Sequence, residues 1–376
     1  MFNHWSYLAL QQYWWFLIAA LAAAFVFMTF VQGGQTLLYM LGKNEAERDL
    51  LVNSLGRKWE LGFTSLVMFG GALFAAFPLF YSVSFGGAYY VWMAILFCFI
   101  IQAVAYEYRK KPNNIFGTST YETFLFINGS LGIILIGTAL GTLFTGGHFI
   151  VDDMHLSHWT LPSYGLEAVL VPFNVAFGFM LFFLARIQAA LYFIDNIDDE
   201  AVAARARKVL KYETWIFLIL FAYILYSILT MNGYGYDPAT GIVHQEPLKY
   251  WHNLLAMPAV SVSIALGALL VLWGIGLDLF AKGRRGIWFS GIGTVLVVIG
   301  LFALIGYNDT VFYPSLSDPQ SSLTIQNASG SRYTLMSMAY VSLMVPFVLG
   351  YIAYVWRAMD RKSLSLQEVE NDPHHY

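Results

Sequence analysis

The sequence predicts an all-α fold: a polytopic membrane protein of nine transmembrane helices, two four-helix blocks plus one peripheral helix. Three observations predict it. The chain is 58% hydrophobic and 11% charged, far more apolar than a soluble domain. Nine apolar runs lie near 14–41, 61–83, 87–106, 122–144, 166–190, 212–232, 253–280, 286–306 and 335–357. Each can cross a hydrocarbon layer of about 30 Å, which takes about 20 helical residues. Finally, 18 of the 20 Lys and Arg sit beside every second gap between those runs. Long runs without alternation read as helices, since only helices and closed barrels satisfy their backbone in lipid.

Taken in order, the first run holds Gln32, Gly33, Gly34 and Gln35 near its end, and Lys43, Arg48, Arg57 and Lys58 follow it. The second carries the small residues Gly70, Gly71, Ala72, Ala75 and Ala76, and the third holds Cys98 and Gln102 before Arg109, Lys110 and Lys111. The fourth has Gly129, Gly132, Gly137 and Gly141. Small residues at such positions let helices approach closely in lipid. Residues 145–165, with Asp152, Asp153, His155, His158 and Trp159, form a loop. Arg186 ends the fifth run, and Arg205, Arg207, Lys208 and Lys211 follow. The segment from Asp195 to Lys211 starts acidic and turns basic, an order that suits a short interfacial helix.

Before the seventh run, residues 233–252 are rich in Gly, Tyr and Pro and read as turns. Lys282, Arg284 and Arg285 follow that run, and Gly291, Gly293 and Gly300 mark the eighth. Residues 307–334 form the longest gap on the other side, and the tail after the ninth run carries Arg357, Arg361 and Lys362. Only Lys249 and Arg332 break the segregation. Basic residues are retained on the cytoplasmic face, so the N-terminus is expected outside and the C-terminus inside. No gap is long enough for a globular domain, so residues 1–376 read as one membrane domain. The net charge of −3 identifies no partner, because the two faces differ so strongly. The first 13 residues lack a basic region and a cleavage site, so no cleaved signal peptide is expected. The single cysteine, Cys98, excludes an intrachain disulfide and reads as a packing residue.

The eight histidines are His4, His148, His155, His158, His244, His252, His374 and His375, and none lies inside a predicted span. A membrane haem usually takes its ligands from within or near a span, so this chain is expected to hold none with its own side chains. Asp152, Asp153, His155 and His158 lack a specific metal-ligand spacing and read as a solvated loop. Polar groups in and beside the spans carry more information, because they are expensive there. They are Gln32, Gln35, Glu60, Gln102, Glu107, Asn128, Asn174, Gln188 and Asp278. Glu107, Gln188 and Asp278 lie near inner ends and read as solvated helix ends. Glu60, after Trp59 at the start of the second run, has two readings: a proton acceptor at the cytoplasmic entrance, or an acid stabilised by a helix N-terminus.

The stretch Gly42-Lys43-Asn44-Glu45-Ala46-Glu47-Arg48, then Val52-Asn53-Ser54-Leu55, Trp59-Glu60, and Gly70-Gly71-Ala72-Leu73-Phe74-Ala75-Ala76-Phe77-Pro78 with Tyr81, resembles subunit II of cytochrome bd-type quinol oxidases. Tyr106-Glu107-Tyr108-Arg109-Lys110-Lys111 is similar to the family's F-D-Y-R-x-K, and Asn327-Ala328-Ser329 with Thr334-Leu335 to the polar stretch before its last span. The nine-span layout covers the whole chain; the 42–111 block is the specific part.

The resemblance implies a non-haem partner subunit in an enzyme that oxidises quinol and reduces dioxygen to water in the bacterial inner membrane. Haems b and d would belong to subunit I, and this chain would support that subunit and help bring cytoplasmic protons to its oxygen site. It would contribute no catalytic residue and no metal ligand. Glu60 matches a family carboxyl at the membrane entrance, and the proton route implied is Glu60, Gln32, Gln35 and Glu107. A bound quinone or phospholipid near Trp59 is also implied. Partners would be subunit I, quinol, membrane lipids and a small single-span accessory subunit, with no nucleic acid. Better-known members read D-G-F-D-x-G in the first span, where this chain has Gln32-Gly33-Gly34-Gln35. Amides order water but do not take up and release protons. The rival reading is a stand-alone secondary transporter, against which stand the absence of charges clustered at mid-depth and the few prolines inside spans, Pro78 and Pro346.

Overall fold

The computed structural model describes residues 2–112, 114–361 and 363–365. Lys362, His374 and His375 lie outside the described residues. Eight described helices are long and apolar enough to cross a membrane: Tyr7–Gln35, Glu45–Ala76, Tyr89–Tyr108, Thr118–Thr145, Pro172–Asn196, Glu200–Thr230, Pro258–Phe280 and Gly286–Gly306. Arg332–Ser342 and Val345–Met359, bent by 41° where they meet, make a ninth crossing when read as one broken span.

Local chemistry sets the ends. Ser6 caps the first span by accepting from the Ala9 N–H at 3.1 Å. Pro172 and Pro258 open their helices, where a missing N–H costs nothing. The second span ends at Ala76 because Pro78 follows, so Pro78 starts a new short helix and does not lie inside a span. The expected interfacial helix from Asp195 to Lys211 is not separate. The fifth span runs to Asn196, Asp199 caps the next helix through the Val202 N–H at 2.9 Å, and that helix continues unbroken to Thr230. The acidic start forms its first turn.

The gaps alternate between two ends. At one end, basic residues meet acids of neighbouring gaps: Lys110 with Asp49 at 2.8 Å, Arg205 with Glu47 at 2.8 Å, Lys58 with Asp360 at 2.8 Å. At the other end lie two short antiparallel pairs, Phe149–Val151 with Ser157–Trp159 and Gly233–Tyr236 with Val243–Glu246. There Arg332 donates to the Asn3 carbonyl at 3.0 Å. Asn3 and Asp360 therefore lie at opposite ends of the bundle.

The first and fifth spans form the centre: 83% of the fifth span's most apolar stretch is buried, against 22% in the sixth and seventh. The first span packs on the second and eighth, and the fifth on the sixth and fourth, so the contacts repeat from one four-helix block to the other. The ninth lies along the first, where Trp14 donates to the Leu335 carbonyl at 2.9 Å. Glycines permit the tightest crossings. A Cβ at Gly137 would lie 2.6 Å from the Gly178 Cα, and one at Gly293 2.5 Å from the Gly267 carbonyl. Gly71, by contrast, meets nothing within 4 Å. Cys98 is buried beside Gly132.

Candidate functional site

The first span is broken twice near its basic end. The Thr29 hydroxyl bonds to the Val26 carbonyl at 2.6 Å and the Thr36 hydroxyl to the Gly33 carbonyl at 2.7 Å. Hydroxyls that bond back to their own helix bend it. Between the breaks, Gly33 lies against the backbone of Ala185 in the fifth span. Gln32 and Gln35 are held there at 0% and 1% exposure.

Three other spans converge on them. In the fourth, Asn128–Gly132 forms a π turn, a feature frequent at functional sites. Gly129 in that turn faces the Gln32 carbonyl so closely that a Cβ would lie 2.2 Å from it. From the second span, Gly62 approaches the Gln32 amide: a Cβ on Gly62 would lie 3.7 Å from Nε2. From the third, Tyr106 Oη accepts from Gln35 Nε2 at 3.2 Å. Tyr106 in turn stacks on Trp59, with ring centroids 5.4 Å apart and planes at 10°. Gln102 is one turn before Tyr106 on the same helix face and is fully buried.

Many polar atoms in this region have no hydrogen-bond partner among the described residues. They are both amide atoms of Gln32, Gln102 and Asn128, Gln35 Oε1 and Trp59 Nε1. A buried polar atom left dry costs about 1–3 kcal/mol. Buried water, making about three hydrogen bonds per molecule, removes that cost. The cluster therefore has the donors and acceptors to order a chain of water within an apolar bundle.

The sequence-predicted acids lie outside it. Glu60 is exposed on the surface next to Trp59. Glu107 is also exposed, 3.1 Å from Lys111 one turn later. The cations preceding Glu60 turn towards residues 356–360. Lys58 is fully buried against Asp360 and lies 5.1 Å from the Trp356 ring, and Arg57 donates to the Met359 carbonyl at 3.1 Å.

Sequence reasoning missed two charged groups. Glu122, at the start of the fourth span, is 1% exposed and binds Arg109 at 2.6 Å and Arg48 at 3.2 Å. Arg109 also reaches Asp49 at 2.6 Å, so one network ties spans two, three and four together at the basic end. Arg186 is not at a span end. It lies inside the fifth span, buried against Glu213 of the sixth. An acid within a predicted span is the sequence signal that marks Glu122 and Glu213 as costly groups, but it does not name their partners.

Gln188 and Asp278 are not solvated ends, since both are 0% exposed. Gln188 donates to Thr294 at 2.6 Å because its helix continues eight residues further, to Asn196. Asp278 accepts from the Gly286 N–H at 3.1 Å and is covered where Gly274 and Gly286 bring spans seven and eight together. Asn174 accepts from Thr145 at 2.8 Å.

All six described histidines lie at the end opposite the basic one. They offer no axial ligand inside a span, so no step through haem is assigned to them. Asp152 is engaged by the Leu156 and Met154 N–H groups, at 2.8 and 2.9 Å, and 3.6 Å from His158. Those bonds, the Leu156 N–H foremost, hold its carboxyl below the usual carboxylate range. Among the described residues, no three His, Cys, Asp or Glu side chains gather as a metal site.

A family model described as cytochrome bd terminal oxidase subunit II matches residues 10–359. The chain is 28% identical over 384 residues to cytochrome bd-I ubiquinol oxidase subunit 2 of Escherichia coli (strain K12), covering 98% of this chain and 99% of that protein. It is 26% identical over 353 residues to cytochrome bd ubiquinol oxidase subunit 2 of Bacillus subtilis (strain 168), covering 93% and 94%. A chain in the structure of bd oxidase from Geobacillus thermodenitrificans shares the fold, with a TM-score of 0.61 over 93% of this chain and 98% of that chain at 13% identity.

Proposed function

Because the chain belongs to the cytochrome bd terminal oxidase subunit II family, we propose that its buried amide cluster conducts protons from the basic face towards the partner subunit's oxygen site. The chain is subunit II of a cytochrome bd quinol oxidase, an oxidoreductase complex, and a multi-pass protein of the bacterial inner membrane. Its partner is subunit I, which carries the haems. Family membership disfavours the stand-alone transporter.

In this reading the basic end is cytoplasmic, as the segregation of Lys and Arg suggests. Glu60 takes up the proton at the surface. Water ordered by Trp59 Nε1, Gln35, Gln32, Gln102 and Asn128 carries it inward. The amides hold water through one donor group and one acceptor each but store no proton, so Glu60 is the carboxyl store of the route. Glu107 lies outside the route, paired with Lys111. Trp59 is the group assigned to a bound quinone or phospholipid, and quinol, lipids and a small accessory subunit are further partners of this reading.

The observation that carries it is the convergence of so many unpartnered polar atoms at a broken span and a π turn. Irregular backbone at membrane depth is tolerated where it lines a polar or water-filled cavity. The test is the double variant Gln32→Leu with Gln35→Leu in the assembled oxidase. Quinol-driven oxygen consumption should fall and its solvent isotope effect should rise, with haem content unchanged. A wild-type rate and isotope effect would remove the route.

A further inference from the structure

Arg186 and Glu213 form an ion pair within the membrane-crossing part of the bundle. Arg186 lies ten residues before the fifth span's end at Asn196, about 15 Å along a helix. Both side chains are 8% exposed. Arg186 Nε donates to both Glu213 oxygens, at 3.0 and 2.9 Å, and Nη2 donates to Oε1 as well. The remaining nitrogen, Nη1, reaches the first span, donating to Thr36 Oγ1 at 2.7 Å and towards the Thr36 carbonyl at 3.4 Å.

Thr36 is where the first span breaks. The Thr36 N–H bonds to the Gly33 carbonyl at 3.2 Å and the Leu37 N–H to the Gly34 carbonyl at 2.9 Å, both three residues back. In an unbroken helix the Thr36 carbonyl would accept from the Met40 N–H. Here Met40 donates to Leu37 at 3.0 Å instead. The break thus frees a carbonyl, and Arg186 faces it. On the preceding residue, Gln35 is aimed at Tyr106.

Stability alone gives a poor account of this pair. Removing two ions from water is costly, and well-packed apolar residues often replace a buried pair without loss. A proton relay is a poor account too. A guanidinium does not deprotonate, and Glu213 has both oxygens engaged by it. What remains is geometry, for which the planar fork is suited: the edge formed by Nε and Nη2 binds the carboxylate, and the third nitrogen, Nη1, is directed at Thr36.

We propose that Arg186, oriented by Glu213, is a positioning residue that fixes the break at Gln35–Thr36 and so holds Gln35 on Tyr106. This rests on the proton route described above. In that route the first span's amides act only through the water and hydroxyl groups they face, so their direction decides whether the chain of water is continuous. The brace comes from the other block of the bundle, through the fifth and sixth spans.

The test uses the complete purified oxidase. Arg186→Met combined with Glu213→Leu removes both charges while keeping volume, and Arg186→Lys keeps the charge without the fork. Each is assayed for haem content, quinol-driven oxygen consumption and its solvent isotope effect, beside Gln35→Leu. The double variant is expected to keep full haem content, to turn over several-fold more slowly and to show a raised isotope effect, with Arg186→Lys intermediate. A wild-type rate and isotope effect in the double variant overturns the proposal. Should that variant fail to assemble, Thr36→Val removes the hydroxyl that Arg186 binds; a raised isotope effect supports the brace, and an unchanged one overturns it. If Gln35→Leu moves the isotope effect and the brace variants do not, the brace alone falls. If neither moves it, the route and the brace fall together.

Discussion

Trp59 and Tyr106 form an offset stack, their centroids 5.4 Å apart and their planes at 10°. The pair stands between the exposed Glu60 and the buried Gln35, which donates to Tyr106 at 3.2 Å. Tyr106→Phe keeps the stack and deletes the hydroxyl. One such hydrogen bond is worth about 0.5–1.5 kcal/mol, so oxygen consumption should fall by less than about tenfold with assembly intact. Steady-state turnover at matched haem content checks this; an unchanged rate would take Tyr106 out of the route.

The segregation of Lys and Arg sets the expected orientation. Lys110 lies at the basic end and Tyr236 in a strand pair at the other. Reporter fusions at Lys110 and Tyr236 should give opposite signals, the first cytoplasmic. Matching signals would contradict the topology.

Gly33 is expected to tolerate no side chain. A Cβ there would lie 2.2 Å from the Ala185 carbonyl carbon, which is backbone and has little freedom to yield. Overpacking of this kind costs about 1–3 kcal/mol or more. Gly33→Ala should sharply lower the yield of haem-containing complex. Gly71→Ala, where nothing lies within 4 Å, should leave it unchanged.

Lys58 is buried with its Nζ 2.8 Å from Asp360. Asp360→Ala leaves a buried ammonium without its carboxylate, a loss of about 3–5 kcal/mol. Thermal unfolding of the complex should shift down clearly. Lys58→Met combined with Asp360→Leu should recover most of that loss; no recovery would mean that the charge pair is not what holds the segment at Asp360.

The eight long apolar helices, and the bent pair that makes a ninth crossing when read as one span, are legible in the sequence because apolar length and charge segregation are local properties of the chain. Gln32, Gln35, Gln102 and Asn128 are legible as costly groups for the same reason. Their convergence is not. It depends on breaks at Thr29 and Thr36 and on a π turn at Asn128–Gly132, which leave the hydropathy pattern unchanged. Arg186 reads as part of the basic gap because its apolar run stops near 190, whereas the helix continues to Asn196. Its partner Glu213 lies 27 residues along the chain, beyond any local pattern. Glu107 has the right chemistry in the right stretch, but helix phase turns it outward to Lys111.

In the proposed route, protons enter through this subunit at Glu60 and pass along water held by the amide cluster. The most direct measurement is quinol-driven oxygen consumption by the purified oxidase carrying Glu60→Gln, beside Glu60→Asp, at matched haem content. Glutamine keeps the size and hydrogen bonding of the side chain but holds no titrating proton. A fall of at least about tenfold is expected for Glu60→Gln, in keeping with the loss of a proton-transferring group, with most of the rate retained for Glu60→Asp. Normal assembly with a wild-type rate in Glu60→Gln would contradict it and leave Glu60 as an acid at a helix start.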